Sequence, residues 1–224
     1  MAQGPYLAFD TSAAHCAAAF VVEGHVAIAR LEPMQRGQAE RLVPLLQEVL
    51  AEAGAEWRDL AGLAVGIGPG NFTGVRIAVA AARGLGLALD VPVIGISGFE
   101  LLLAPEDRGP MLLSLPAPRD LVYVQAFREG RPDAAPRLID PAAVPQDLEV
   151  PAGLTVRGHR AAEIAAAVHA RAQVADTADV APLLGRRAAW RFGQPLDGLR
   201  PAPLYVRPPD AAPPSDPPPV ILDA

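Results

Sequence analysis

Apolar positions in the first hundred residues alternate between the period of a strand and the period of a helix. Tyr6–Asp10 is a short apolar run ending in Asp10-Thr11-Ser12, and two extended segments follow, Cys16–Val22 and His25–Leu31, joined at Glu23-Gly24. A two-residue link of that kind predicts a hairpin, so the chain opens with three meandering strands. From about Gln38 the spacing becomes helical through Leu42, Leu45, Leu46, Val49 and Ala53, with Pro44 near the start and Gly54 as a stop. Leu60–Ile67 then reads as a buried strand, Thr73–Leu89 as an alanine-rich helix, Val91–Ile96 as a second buried strand and Phe99–Leu103 as a short helix.

Three meandering strands followed by two helix–strand units is the order of a ribonuclease-H-like α/β lobe, in which crossover helices cover a mixed five-stranded sheet. The pattern weakens from about Glu106. Met111–Leu115 and Leu121–Phe127 read as strands, Gly130-Arg131 as a turn, and Ala161–Ala170 and Val180–Phe192 as helices. The expected organisation is an N-terminal lobe over 1–104, a smaller C-terminal α/β lobe over 105–207, and a tail over 208–224 too rich in proline to pack.

Composition narrows the chemistry. The chain has 19 arginines and no lysine, which excludes a Schiff-base lysine and the usual phosphate-loop lysine, although the codon bias of a GC-rich genome accounts for that absence equally well. The single cysteine, Cys16, excludes an internal disulfide and fits a reducing cytoplasm. No uninterrupted apolar stretch reaches the roughly 18 residues of a membrane span, and no basic segment precedes a long apolar run at the start. A formal charge of −6 argues against this chain as a principal nucleic-acid-binding surface.

The most informative stretch is Gly66-Ile67-Gly68-Pro69-Gly70-Asn71-Phe72-Thr73-Gly74-Val75-Arg76, between a strand and a helix. Its glycines let the backbone turn sharply or approach a ligand, and Thr73 is placed to cap the helix. It departs from the dinucleotide fingerprint at Pro69 and Asn71 and lacks the phosphate-loop lysine. Asp10-Thr11-Ser12 reads more readily as a capping turn than as a phosphate-facing one. His15 and Cys16 are adjacent on a strand and point to opposite faces, so Cys16 reads as a small buried side chain.

The run GIGPGNFTGVRIAVAAARGLGLAL, with the opening LAFDTS, the segment ERLVPLL from Glu40 to Leu46, VPVIGIS from Val91 to Ser97 and the late PAPLYVR from Pro201 to Arg207, resembles the TsaB (YeaZ) family of bacterial tRNA threonylcarbamoyladenosine biosynthesis proteins. The resemblance is strong over 6–104, diffuse over 105–200, and returns at PAPLYVR. It implies a two-lobed actin-like (ASKHA) fold whose lobes are each ribonuclease-H-like. It also implies a non-catalytic subunit that binds and activates TsaD, the metal-bearing transferase that modifies adenosine 37 of tRNAs reading ANN codons. TsaE completes the assembly, tRNA is met only indirectly, and a homodimer forms when the partner is absent.

By the same resemblance, the partner surface includes Gln38, Arg41, Leu42, Leu45, Leu46 and Val49 on the first helix and Thr73, Arg76 and Ala80 on the second. Asp10 and Thr11, with Gly68, Pro69, Gly70, Phe72, Thr73 and Gly74, form a loop surface that could face a nucleotide. No cofactor is expected in the isolated chain, with ATP or ADP possible at the complex interface. A TsaD-type metal site needs two histidines four apart on a helix, and His15, His25, His159 and His169 offer no such pair. Two departures stand out: Arg36-Gly37-Gln38-Ala39-Glu40 where many members have a histidine, and Pro116-Ala117-Pro118-Arg119 in place of the usual Asp-Ala-Arg. The alternative reading is an independent small-molecule kinase or peptidase of the actin-like superfamily, for which only Asp10 is convincingly placed.

Overall fold

The structure is a computed structural model that describes residues 4–196 and 198–206, so the expected tail over 208–224 lies outside the described residues. Strands β1 (Tyr6–Asp10), β2 (His15–Val22) and β3 (His25–Pro33) form the expected meander. Glu23 and Gly24 both hold positive φ, 52° and 79°, the twist that suits a two-residue hairpin. Helix α1 (Gln38–Glu52) runs on through Pro44 and stops at Gly54, whose φ is 64°. After it come β4 (Gly62–Gly66), α2 (Phe72–Leu89) and β5 (Val93–Ile96), giving the sheet order β3-β2-β1-β4-β5. The two crossovers through helices make β1, β4 and β5 parallel.

Alternation along β1 decides what each face buries. Leu7 and Phe9 point to a core completed by Leu42, Leu45, Leu46 and Val49 of α1 and by Val75, Ala78, Val79 and Ala82 of α2. Tyr6 and Ala8 point the other way, toward Leu184, Ala188 and Phe192 of α4 (Val180–Phe192), where the Tyr6 and Phe192 rings stack 4.1 Å apart. Both faces are therefore covered, which is why the central strands read as continuous apolar runs.

Two expectations change here. Leu42, Leu45, Leu46 and Val49 were assigned to a partner surface, but they are at most 1% exposed, because α1 spends its apolar stripe on its own sheet. Helix α4 was assigned to the C-terminal lobe, but it crosses back onto β1, β2 and β3, because the second face of the first sheet has no other cover. Helix α2 is long and apolar enough by length and composition to cross a membrane, with a mean hydropathy of 1.4. The two arginines that interrupt it hid this from a search for unbroken apolar runs. In the fold it covers β4 with one side and leaves the other open.

The second sheet has β6 (Met111–Pro116), β7 (Val122–Arg128), β8 (Arg131–Pro132), β9 (Arg137–Ile139), β10 (Thr155–Gly158) and β11 (Arg171–Val174), in the order β11-β10-β6-β7-β8 with β9 also on β7. A central strand with an antiparallel neighbour on one side and parallel strands on the other repeats the first sheet's plan. Strands β8 to β11 are two to four residues long, too short for a periodic signal, and were not foreseen. Helix α3 (Ala161–Ala167) stops before the expected Ala170, and His169 takes a left-handed φ of 53°.

Because Leu45 is sealed inside the chain, Leu45→Glu should destabilise the isolated protein by more than about 4 kcal/mol, the range of an unpaired buried charge. Urea unfolding followed by circular dichroism checks this. A transition midpoint equal to that of the unmodified chain would contradict the burial.

Candidate functional site

In an open α/β sheet, ligands meet the protein outside the carboxyl ends of parallel strands where the chain leaves in different directions. Here those ends are Asp10 of β1 and Gly66 of β4. Asp10 is 4% exposed and its carboxylate is already engaged. Its Oδ1 accepts from the Ser12 amide at 2.9 Å, the Ser12 hydroxyl at 2.9 Å and His15 Nε2 at 2.7 Å. Oδ2 lies against Gly66, where an added Cβ would be 1.6 Å from that oxygen, so only glycine fits there. The capping-turn reading of Asp10-Thr11-Ser12 matches this geometry. The His15 contact was missed because only strand pairing brings position 15 back to position 10.

Cys16 is fully buried, as read from the sequence, and burial pushes its thiol up to about 11, with the Glu32 charge adding to the shift.

The glycine stretch closes against the same turn. Asn71 N donates to Ser12 O at 2.6 Å, and Thr11 Oγ1 donates to Gly74 O at 2.7 Å. A Cβ at Gly70 would meet Ser12 O at 2.2 Å, and one at Gly74 would meet Thr11 O at 1.9 Å. Gly68 turns the chain with φ of 88°. The close approach that these glycines permit is thus to the chain's own backbone. Helix α2 is capped by Asn71, whose Oδ1 accepts from Gly74 N at 2.9 Å, and not by Thr73, two residues further on. Of the expected loop surface, Asp10, Thr11, Gly68 and Gly74 are buried, while Gly70, Phe72 and Thr73 are exposed and Pro69 is half-buried.

Residues 201–206 lie across this turn. Pro201 O accepts from Arg83 Nε at 2.8 Å, Leu204 N donates to Ile67 O at 2.8 Å, and Tyr205 OH accepts from Arg76 Nε at 2.7 Å. The Arg76 guanidinium lies 3.6 Å over the Phe72 ring, and the Phe72 and Tyr205 rings are 5.0 Å apart. Leu204 and Val206 also pack against the second lobe beside Phe99, Leu115 and Tyr123. Two of the segments that carry the resemblance, the glycine stretch and PAPLYVR, therefore meet in space.

The remaining expected interface residues divide. Gln38 donates to Met34 O at 3.2 Å. Arg41 forks to Glu32 at 2.7 and 2.6 Å and to Glu48 at 2.6 and 2.5 Å, and its hydrogen bonds hold both carboxyls below their usual range. Both side chains thus tie α1 to its own chain. Thr73, Arg76 and Ala80 are exposed on the outer face of α2.

A further cluster went unread in the sequence. Buried Glu100, in the helical turn Phe99–Leu102, accepts from Ser97 N at 2.9 Å, from Arg191 at 2.7 Å and from Arg187 at 3.5 Å, joining α4 to the end of β5. Burial lowers the pKa of Arg187, which stacks 4.1 Å from the Trp190 ring. Among the described residues no group of three or more His, Cys, Asp and Glu side chains is arranged to hold a metal ion.

Gly74→Ala should cost about 1–3 kcal/mol, the range of an overpacked contact, since the new methyl meets the Thr11 carbonyl just past the end of β1. A urea midpoint unchanged from that of the unmodified chain would show that β1 and α2 are not held at this distance.

Comparison with known proteins follows the same lines. The sequence matches the TsaD family, tRNA N6-adenosine threonylcarbamoyltransferase, over residues 32–180. It is 41% identical over 91 residues to the tRNA threonylcarbamoyladenosine biosynthesis protein TsaB of Escherichia coli, covering 41% of this chain and 39% of that one. The protein of the same name from Haemophilus influenzae matches at 41% over 91 residues, covering 41% and 38%. The match thus spans about two-fifths of the length of these curated relatives. Among solved structures, YeaZ from Pseudomonas aeruginosa shares the two-lobed actin-like arrangement with a TM-score of 0.63 at 26% identity, over 90% of this chain and 99% of that one. Sequence and fold agree, and the chain belongs to the TsaD family as one of its TsaB (YeaZ) members.

Proposed function

We propose that this chain is a non-catalytic cytoplasmic subunit that binds and activates a TsaD-type transferase, with TsaE joining them, in adding a threonylcarbamoyl group to adenosine 37 of tRNAs reading ANN codons. The observation that carries this reading is the outer face of α2. Thr73, Arg76, Ala80, Arg83 and Leu87 recur at alternating spacings of three and four, all are exposed, and Leu87 is 85% exposed. Beside them, a Cβ at Gly84 would meet nothing within 4 Å, so another helix could approach closely. A core helix with so large an aliphatic side chain turned outward suits a covered face better than a solvated one.

Engagement of Asp10 Oδ1 by Ser12 and His15 ties this carboxylate into its own turn, which supports the non-catalytic part of the reading. ATP or ADP held at the joint between subunits would draw its phosphate ligands mainly from the partner. A net charge of −6 likewise leaves tRNA contact to the partner.

Mixing the chain with cognate TsaD, TsaE, threonylcarbamoyl-adenylate and tRNA should raise modification above that of the mixture without it; equal rates would sink the proposal. Leu87→Glu should weaken co-elution with TsaD by about tenfold, equivalent to about 1.4 kcal/mol, while leaving the melting temperature of the isolated chain unchanged. Unaltered binding by that variant would remove α2 from the interface.

A further inference from the structure

Both charged side chains of α2, Arg76 and Arg83, are held by one short segment from much later in the chain. Arg76 Nε donates to Tyr205 OH at 2.7 Å, and Arg83 Nε donates to the Pro201 carbonyl at 2.8 Å. The Arg76 guanidinium is also seated 3.6 Å over the Phe72 ring and 5.7 Å from the Tyr205 ring. The segment is itself fixed, since Leu204 N donates to Ile67 O at 2.8 Å and Leu204 packs against the second lobe. Each arginine thus commits its inner nitrogen to residues 201–206. Both side chains are exposed, and their outer nitrogens have no partner among the described residues.

An arginine anchored through Nε has lost much of its rotamer freedom before anything binds, and its remaining pair of N–H donors matches the two oxygens of a carboxylate. The two arginines stand two turns apart on one side of the helix, about 10.5 Å at 1.5 Å per residue. Ala80 lies between them, and a Cβ at Gly84 would meet nothing within 4 Å, so a second helix has room to approach. Exposed apolar groups bound the stripe, with Phe72 and Tyr205 at one end and Leu87 at the other. No acidic residue occurs anywhere from Phe72 to Leu89.

We infer that Arg76 and Arg83 are a pre-set pair of carboxylate receptors, and that the element docking on α2 is a helix of the TsaD-type partner carrying two acidic side chains two turns apart. This names the chemistry of the partner surface proposed above and rests on that reading. A helix is the element that repeats the same spacing on one face, so both acids can meet both forks at once. A second copy of the chain presenting the same face would set arginine against arginine, with no acid on either α2 to answer them. Two arginines on a chain of net charge −6 are too sparse to neutralise a phosphate backbone.

Calorimetry of the full chain with cognate TsaD, at about 0.05 M and about 0.5 M salt, tests this. Affinity should fall by about tenfold with salt; Arg76→Gln and Arg83→Gln should each weaken binding by about tenfold at low salt, and the double variant should lose most of the salt dependence. Arg83→Lys should recover only part of the loss, since an ammonium group lacks the fork. Tyr205→Phe keeps the ring and removes the acceptor. It should weaken binding by about threefold beside Arg76 and have no effect beside Arg76→Gln, a coupling that general loosening of the fold would not produce. Arginine variants that match the unmodified chain at both salts, while Leu87→Glu binds weakly, would overturn the carboxylate pair and leave the partner face standing. If Leu87→Glu also binds normally, the partner face itself falls and the pair with it. Binding of tRNA by the isolated chain that is lost in the double arginine variant would overturn the inference in favour of phosphate, and a dimer of the chain that dissociates in that variant would overturn it in favour of a second copy.

Discussion

The carbonyls of Thr11 and Ser12 set the distance between the end of β1 and the start of α2, and much of the first lobe depends on that contact. Ser12 O takes the Asn71 amide at 2.6 Å, and both carbonyls come so near Gly70 and Gly74 that a single methyl would not fit. With the helix start held there, Val75, Ala78, Val79 and Ala82 fall onto the sheet, and Arg76, Ala80 and Leu87 turn outward. The same turn positions Ile67 O to receive Leu204 and Arg76 to receive Tyr205. A glycine-rich strand-to-helix turn is usually read for the ligand it could admit. In this chain the space left by the missing side chains at Gly70 and Gly74 is filled by the backbone of the turn after β1.

Several ties join the two lobes. Helix α4 leaves the second lobe to cover the back of the first sheet, Glu100 anchors that helix through Arg191 and Arg187, and residues 201–206 bond to the first lobe while packing into the second. Burying Glu100 with two guanidinium groups is tolerable because Ser97 supplies two more donors, though Arg187 Nε stays without a partner. Ties of this kind suit a body whose outer faces dock to other molecules.

On this view the chemistry of the chain resides in its surfaces. Asp10 stands where a catalytic carboxylate would be useful, yet His15 and Ser12 hold it inside a turn. Arg41 was a candidate for partner contact but is committed to Glu32 and Glu48. What remains exposed is the outer side of α2, with Leu87 turned outward, and a separate groove beside Trp57.

Amino-acid order alone determined the elements whose signals are local. The hairpin at Glu23-Gly24, the helix Val180–Phe192 and the strand Tyr6–Asp10 were readable because turn residues and apolar periodicity act over a few neighbouring positions. It also marked the glycine stretch and the PAPLYVR segment as special, without saying that they touch. Tertiary structure decided the rest: that α4 backs the first sheet, that His15 reaches Asp10, that Asn71 caps α2, and that Leu42, Leu45, Leu46 and Val49 face inward. The physical reason is that periodicity tells which side chains seek burial but not which surface will bury them, and that depends on segments brought together from far apart in the chain.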